Sequence, residues 1–404
     1  MPKVCLYFEL HQPYRLEDIN IFDIGNKLDY FEDRGDEINR VVFQKVTNKS
    51  YVPMLNLLKK LVYEYPDFKF TFSASGIFLE QALRYSPIVI DLLKSLVKSG
   101  QVEVLAETYH HSLAALYSKS EFEIQIKEHE ELVKEIFGVV PKVFRNTELI
   151  YSNDIAQLVE DQGYIGTLTE AVDRYLDNRS RTQMFVGKTK NRLPLMLKHA
   201  QLSDDVAFRF SDKSWKMYPL MVEKYLDWFR SYGENDYINL FMDFETFGEH
   251  QWKDTGIFEF FLEFVKQSSE NDSTEFVTPT EVFQKYQKPF LKLSLDRDSL
   301  PVYDVPEPIS WADVDRDLTA WRDNDFQYDT LRLIYDLEKD VLDTKNQEII
   351  RDWRRLQTSD HFYYMCTKWF EDGDVHAYFS PYKSPYEAYT RYSIVLADLR
   401  ERMI

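Results

Sequence analysis

From residue 3 to about residue 280 the chain alternates short apolar, β-branched runs with longer segments of helical period. No other feature constrains the fold as much. The strand-like runs are KVCLYFEL, FKFTFSAS, QVEVLAE, PKVFRNTE, YIGTLTE, MLKHAQ, VAFRFSD and YINLFMDFE. Among them stand YVPMLNLLKKLVYEY, SPIVIDLLKSLVKSG, SEFEIQIKEHEELVKEIFG, NDIAQLVEDQG and PLMVEKYLDWFRSYG, whose apolar residues recur every three or four positions. Strands apolar on both faces, separated by amphipathic helices, read as a parallel sheet buried under helices. About seven or eight such runs suit a barrel better than an open sheet. The lack of a GxGxxG turn weighs against a dinucleotide-binding fold.

Past TPTEVFQKYQKPF the text changes. Pro301, Pro306 and Pro308 lead into DTLRLIYDLEKDVLDTKNQEIIRDWRRLQTSDHFYYM and SPYEAYTRYSIVLADLRERM, which are helical in period. The expectation is an α/β chain with a barrel over 1–290 and a helical unit over 291–404. The 404 residues leave room for both, because one barrel takes roughly 250.

Composition narrows the partners. Asp and Glu number 68 against 49 Lys and Arg, a formal charge of −19, and no basic cluster stands out. Neither nucleic acid nor an anionic membrane surface is expected as a partner. Cys5 and Cys366 lie far apart with no CxxC, which gives neither a disulfide framework nor a thiolate zinc site. The start, MPKVCLYFELHQP, lacks the marks of a signal peptide, and no run reaches membrane-span length. A soluble, cytoplasmic protein is expected.

In a parallel barrel the chemistry gathers where the strands end. Reading each run to its end gives His11, then Glu107 with His110 and His111, then Glu148, Glu170 and Asp243. Buried strands that finish in carboxylates and imidazoles are costly for stability alone, which favours a site. Alternation lets only one of His110 and His111 face the axis. The stretch FMDFETFGEH adds Glu245, Glu249 and His250 beside Asp243. Burial by Phe241, Phe244 and Phe247 and like charge nearby are expected to raise the Asp243 pKa, while Arg145 keeps Glu148 ionised. TSDHFYYM places Asp360 and His361 in a helical context, as a candidate wall of the cleft.

HQPYR, GQVEVLAETYHHS, FRNTELIYSN, FMDFETFGEHQ and TPTEVF, in that order, resemble the five motifs of glycoside hydrolase family 57. ISWADVDRDLTAW, TSDHFYYM and SPYKSPYEAY resemble the C-terminal half of its α-amylase-like members. The resemblance implies an incomplete (β/α)7 barrel with a helical C-terminal domain, needing no cofactor or metal, that acts on α-linked glucans such as maltooligosaccharides with retention. It implies Glu148 as nucleophile and Asp243 as general acid/base, with His11 and His111 at the sugar. Arg145, Glu107, Glu245, Asp360 and His361 are the further candidate substrate-binding residues. Many relatives follow HQP with a second His where this chain has Tyr14, so a contact near the sugar is expected to differ.

Three other readings stay open. The same glycosyl-enzyme can pass its sugar to another glucan, as in a 4-α-glucanotransferase. A metal-dependent carbohydrate deacetylase could use His11, His111 and Asp243 as ligands, though no HExxH supports it. A non-catalytic glucan-binding protein would be expected to have lost one of the two carboxylates. Oligomeric state and chain-length preference are not legible.

Overall fold

The structure, a computed structural model, describes residues 1–26, 29–31, 38–270, 274–286, 297–368 and 380–404. The expected boundary between 290 and 291 lies outside the described residues. In chain order the strands are β1 (Lys3–Leu10), β2 (Phe70–Ala74), β3 (Val102–Val104), β4 (Phe144–Arg145), β5 (Thr167–Thr169), β6 (Phe185–Gly187), β7 (Pro194–Leu197), β8 (Tyr237–Asp243), β9 (Glu275–Phe276) and β10 (Val302–Tyr303).

Two parallel ladders carry the architecture, β8–β1–β2–β3 and β4–β5–β7. They meet at both margins. Just past β3, Ala106 bridges Phe144 in parallel, its N–H donating to the Val143 carbonyl at 3.0 Å. On the other side the His199 N–H donates to the Asn239 carbonyl at 2.8 Å, and the Asn239 amide donates to the Leu197 carbonyl at 2.8 Å. The result is a ring of seven parallel strands, sealed by single bonds instead of a full ladder at the β7–β8 margin. Helices follow the strands as expected of a (β/α)7 chain, among them Val52–Glu64, Gly76–Tyr85, Pro87–Lys98, Lys119–Phe137, Asn153–Asp161, Ala200–Ala207 and Ile257–Glu270.

Alternation along the strands divides the apolar residues between two cores. In β1, Val4, Leu6, Phe8 and Leu10 face the helices, joining Phe72, Leu240 and Phe244. Cys5 and Tyr7 face the axis with Leu105, Val143, Leu168, Met196 and Phe241. The small polar residues of β2 suit this inner layer, where the Tyr7 and Ser73 hydroxyls hydrogen-bond at 2.7 Å.

One expected strand is absent. In VAFRFSD, Val206 and Ala207 close the helix Ala200–Ala207, and Phe208 to Asp212 turn away from it. The strand read in MLKHAQ ends at Leu197. Strand β6 runs antiparallel to β7 and carries β10, which the chain adds after residue 300. Both lie outside the ring.

The C-terminal helices Asp325–Asp336, Gln347–Arg355 and Pro385–Arg402 share one core with the barrel's flank, Trp353, Ile334, Val395 and Leu399 joining Phe122 and Ile126. Arg354 pairs with Glu121 at 2.9 Å and Glu128 at 2.6 Å, and Arg355 pairs with Glu80 at 2.7 Å. Among the described residues no helix is long and apolar enough to cross a membrane.

Candidate active site

One step beyond the inner apolar layer, the strands turn charged side chains to the axis. Glu9 follows Tyr7, Glu107 follows Leu105, Arg145 follows Val143, Glu170 follows Leu168, Lys198 follows Met196 and Asp243 follows Phe241, each two residues on and so on the same face. The site is the C-terminal mouth of the ring, and these charges are its floor.

The charges are matched in pairs. Arg145 donates to Glu9, whose other oxygen lies 3.3 Å from His111 Nδ1. His111 Nδ1 is also 3.2 Å from Glu107, and its Nε2 is 3.4 Å from Glu148 Oε1. Burial opposes charge on His111, but Glu9, Glu107 and Glu148 outweigh it and hold the imidazole protonated well above its ordinary pKa. His11 stacks on it with ring centroids 3.9 Å apart. Burial and that neighbouring charge keep His11 below its ordinary pKa. A neutral His11 donates from Nε2 to Asp360 at 2.9 Å and accepts at Nδ1 from Ser75 at 2.8 Å. His11 and the charged Asp360 thus tie the first strand's end to the C-terminal helical turn Ser359–Tyr363.

Glu148 and Asp243 differ in protonation. Burial raises the Glu148 pKa, but the His111 hydrogen bond and charge and the Arg145 charge bring it below the usual carboxylate value. Trp311 Nε1 donates to its Oε2 at 2.7 Å. Among the described residues Asp243 has no comparable donor, and burial together with the Glu148 charge raises it to about 6. Phe241 sits beneath Asp243 on the same face, whereas Phe244 and Phe247 pack against Phe8 on the helix side. Arg145 pairs with Glu9 and not with Glu148, whose nearest cationic contact is His111.

Both Glu148 and His111 have left-handed backbones, φ +56° and +51°, a conformation that costs a side-chain-bearing residue about 1–3 kcal/mol. The C-terminal chain supports both. The Ser359 N–H donates to the His111 carbonyl at 2.9 Å, and the Trp311 N–H donates to the Glu148 carbonyl at 3.2 Å.

The remaining candidates occupy distinct positions. Arg145 and Glu107 are fully buried, so in this conformation they meet only protein and lie under the site. Glu245 is buried against Tyr51, which donates to it; burial and the Asp243 charge raise it to about 8. His361 packs its ring with Phe31 and Tyr392, away from Glu148, because it and Asp360 are successive residues on one helical turn. His110 is buried beside Tyr109, and it is His111 that faces the axis. Glu249 pairs with Lys45 at 2.6 Å and Lys49 at 3.3 Å. Tyr14 is buried, with the Arg355 guanidinium 4.1 Å from its ring centroid.

Sequence reading missed Glu9, Ser75, Tyr51 and Trp311. Glu9 was legible, since it stands two residues before His11 and shares the axis-facing set of Cys5 and Tyr7. Trp311 lay inside a recognised motif, ISWADVDRD, with nothing in its spacing to join it to Glu148.

Glu9, Glu107 and His111 bring ligand atoms within 4.8 Å of one another. Arg145 already neutralises Glu9, and both nitrogens of His111 and of His11 are engaged by protein partners. Those engagements favour a charge network within the protein over a cation site, although Glu9 Oε1, Glu107 Oε1 and Arg145 Nε and Nη1 have no hydrogen-bond partner among the described residues.

One depressed and one raised carboxyl group at the mouth of a parallel barrel are the groups that a glycoside-cleaving enzyme needs. The family model "Glycosyl hydrolase family 57" matches residues 5–294, and the chain belongs to that family. It is similar to a Methanocaldococcus jannaschii protein with a provisional alpha-amylase name, 40% identical over 98% of this chain and 83% of that one. In fold it resembles a family 57 branching enzyme from Thermococcus kodakaraensis (TM-score 0.66, 14% identity, 91% of this chain and 86% of that one). It also resembles a 4-alpha-glucanotransferase from Thermococcus litoralis (TM-score 0.64, 17% identity, 89% of this chain); the match spans 56% of that longer enzyme.

Proposed function

We propose that this family 57 enzyme is an α-amylase-like hydrolase of α-1,4-linked glucans that acts by double displacement. Glu148 attacks the anomeric carbon while Asp243 protonates the leaving oxygen; Asp243 then takes a proton from the water that resolves the glycosyl-enzyme. The observation that carries the reading is the opposite displacement of the two carboxyl groups, Glu148 below its ordinary pKa and Asp243 up to about 6. One stays a nucleophile and the other can hold a proton to give. His11 and Asp360 line the same mouth and serve as sugar-facing groups. The family relationship and the alpha-amylase name of the M. jannaschii relative support the substrate class.

Glu148→Gln keeps the side chain's shape and removes the attacking charge. Turnover on maltooligosaccharides should fall about a thousandfold or more. Turnover near that of the native enzyme would end the assignment. The product profile then separates water from sugar as acceptor: shortened products alone mean hydrolysis, and longer ones mean a 4-α-glucanotransferase using the same intermediate.

A further inference from the structure

Trp311 reaches the nucleophile from outside the ring of strands. Its Nε1–H meets Glu148 Oε2 at 2.7 Å and its backbone N–H meets the Glu148 carbonyl at 3.2 Å. The indole lies against two cations of the floor, Arg145 at 5.0 Å and Lys198 at 5.1 Å from the ring centroid. Arg316 fixes the segment, donating to the Trp311 carbonyl and pairing with Asp204 at 3.0 Å. The other nucleophile oxygen, Oε1, has only long contacts among the described residues, 3.4 Å to His111 and 3.5 Å to Ser359.

We propose that Trp311 is a positioning residue that reserves Oε2 of Glu148, makes Oε1 the attacking atom, and eases the release of Glu148 from the glycosyl-enzyme. The inference rests on the reading of Glu148 as nucleophile. In the first step an Oε1 lone pair bonds to the anomeric carbon; the glycosidic electron pair leaves on the departing oxygen, which takes the Asp243 proton. In the second, water oxygen bonds to that carbon and gives a proton to the Asp243 carboxylate. The C–Oε1 bond breaks as the new C–O bond forms, and its electron pair returns to Glu148. Oε2 is the carbonyl oxygen of the ester between the steps. An N–H donor at 2.7 Å holds an ionised carboxylate more strongly than an ester. Trp311 therefore favours the second step, in which the charge returns, and opposes the first, in which it is lost.

Trp311→Phe removes the donor and keeps a ring over Arg145. On an α-maltooligosyl fluoride, whose leaving group departs readily, loss of a hydrogen bond to a charged group should slow steady-state turnover roughly ten- to a hundredfold. A pre-steady-state burst of fluoride should appear, KM should fall with kcat, and kcat/KM should stay within about threefold. The acidic limb of kcat/KM should move to higher pH, because Glu148 loses a group that stabilises its charge. Trp311→His, whose Nε2 superposes on the indole nitrogen, should recover the rate and the limb. If Trp311→Phe fails to fold, benzothienylalanine at this position keeps the ring shape and exchanges N–H for sulfur, and the same loss is expected.

Equal falls in kcat and kcat/KM with an unmoved acidic limb would mean that Trp311 only supports the fold, and the inference is overturned. A Trp311→His enzyme as slow as Trp311→Phe overturns it as well. A 5-fluoro maltosyl fluoride separates this failure from that of the underlying reading. Native enzyme that is not labelled on Glu148 removes the nucleophile assignment itself, whereas labelled native enzyme with a Trp311→Phe variant that behaves like it removes only the role of Trp311.

Discussion

At the residue scale the proposed mechanism depends on how one carboxyl group keeps its proton. Asp243 lies at about 6 because it is removed from water and shares its space with the Glu148 charge. The alkaline limb of kcat/KM on glucans should therefore fall near that value, since deprotonation of the free enzyme's acid removes activity. Asp243→Asn should lose this limb and slow glucan cleavage by about a hundredfold or more, while aryl glycosides, whose leaving groups need little protonation, lose much less. Equal losses on both substrates, with native activity abolished by a chelator and restored by metal, would replace proton transfer with metal ligation. The residues at this scale were legible where chemistry and period agree. His11, His111, Glu148 and Asp243 each close an apolar run, and the structure sets them at one mouth. The pairing was less legible: Arg145 is three residues before Glu148 in the sequence, yet the two point differently because Glu148 has left β4 and turned to φ +56°. Its neighbour in space is Glu9, from a strand 136 residues away. Ion pairs that close between strands cannot be read from spacing within one strand.

At the element scale the stretch that begins at β8 shows how a short loop is held. Glu245 and Glu249 lie in a tight turn after β8, and Gly248 at its centre has φ +109° with the Lys49 carbonyl where a Cβ would stand. Gly248→Ala meets a backbone oxygen that cannot swing aside, and the positive φ adds strain. A loss of about 1–3 kcal/mol in denaturant unfolding is expected. Activity should fall further than stability explains, because the Lys45 and Lys49 pairs with Glu249 and the Tyr51 bond to Glu245 depend on that approach. Unfolding midpoints within error of the native protein would mean that the loop has room the structure does not show. The strands themselves were readable where they carry an apolar face toward the helices, as β1, β2 and β8 do. VAFRFSD alternates like a strand, yet Ala200–Ala207 forms a helix there, because Leu202 and Val206 at i and i+4 pack toward Phe210 and Tyr225. Strand β6 is three residues long in a polar context and leaves too little pattern to detect.

At the scale of the whole molecule, the C-terminal helices are as much a part of the site as the barrel. They supply Asp360 to His11, Ser359 to the His111 carbonyl and, from the segment before them, Trp311 to Glu148. Their helical period was plain in the sequence, but nothing in it says which turn meets which strand end, since those contacts span from 163 to 349 residues of chain. The Asp360–His11 link makes the joining of these parts sensitive to acid, with a definite sign. Burial opposes the Asp360 charge, but His11 and the nearby His111 overcome it, so its native pKa lies below the ordinary 3.8. A carboxylate depressed in the native state adds stability that is complete above the unfolded value and is lost as the pH falls through the native one. Asp360→Asn keeps the shape and removes the charge, so at neutral pH it should cost about 1.5–3 kcal/mol, the worth of a charged hydrogen bond. The native enzyme and the variant should then converge as the pH drops below the ordinary carboxylate range, because the native side chain also becomes neutral. Thermal unfolding of both proteins across the acid range measures this directly. A gap that stays constant from neutral pH down to about pH 2, where linkage requires most of it to close, would mean that the Asp360 charge does not hold the helices to the barrel.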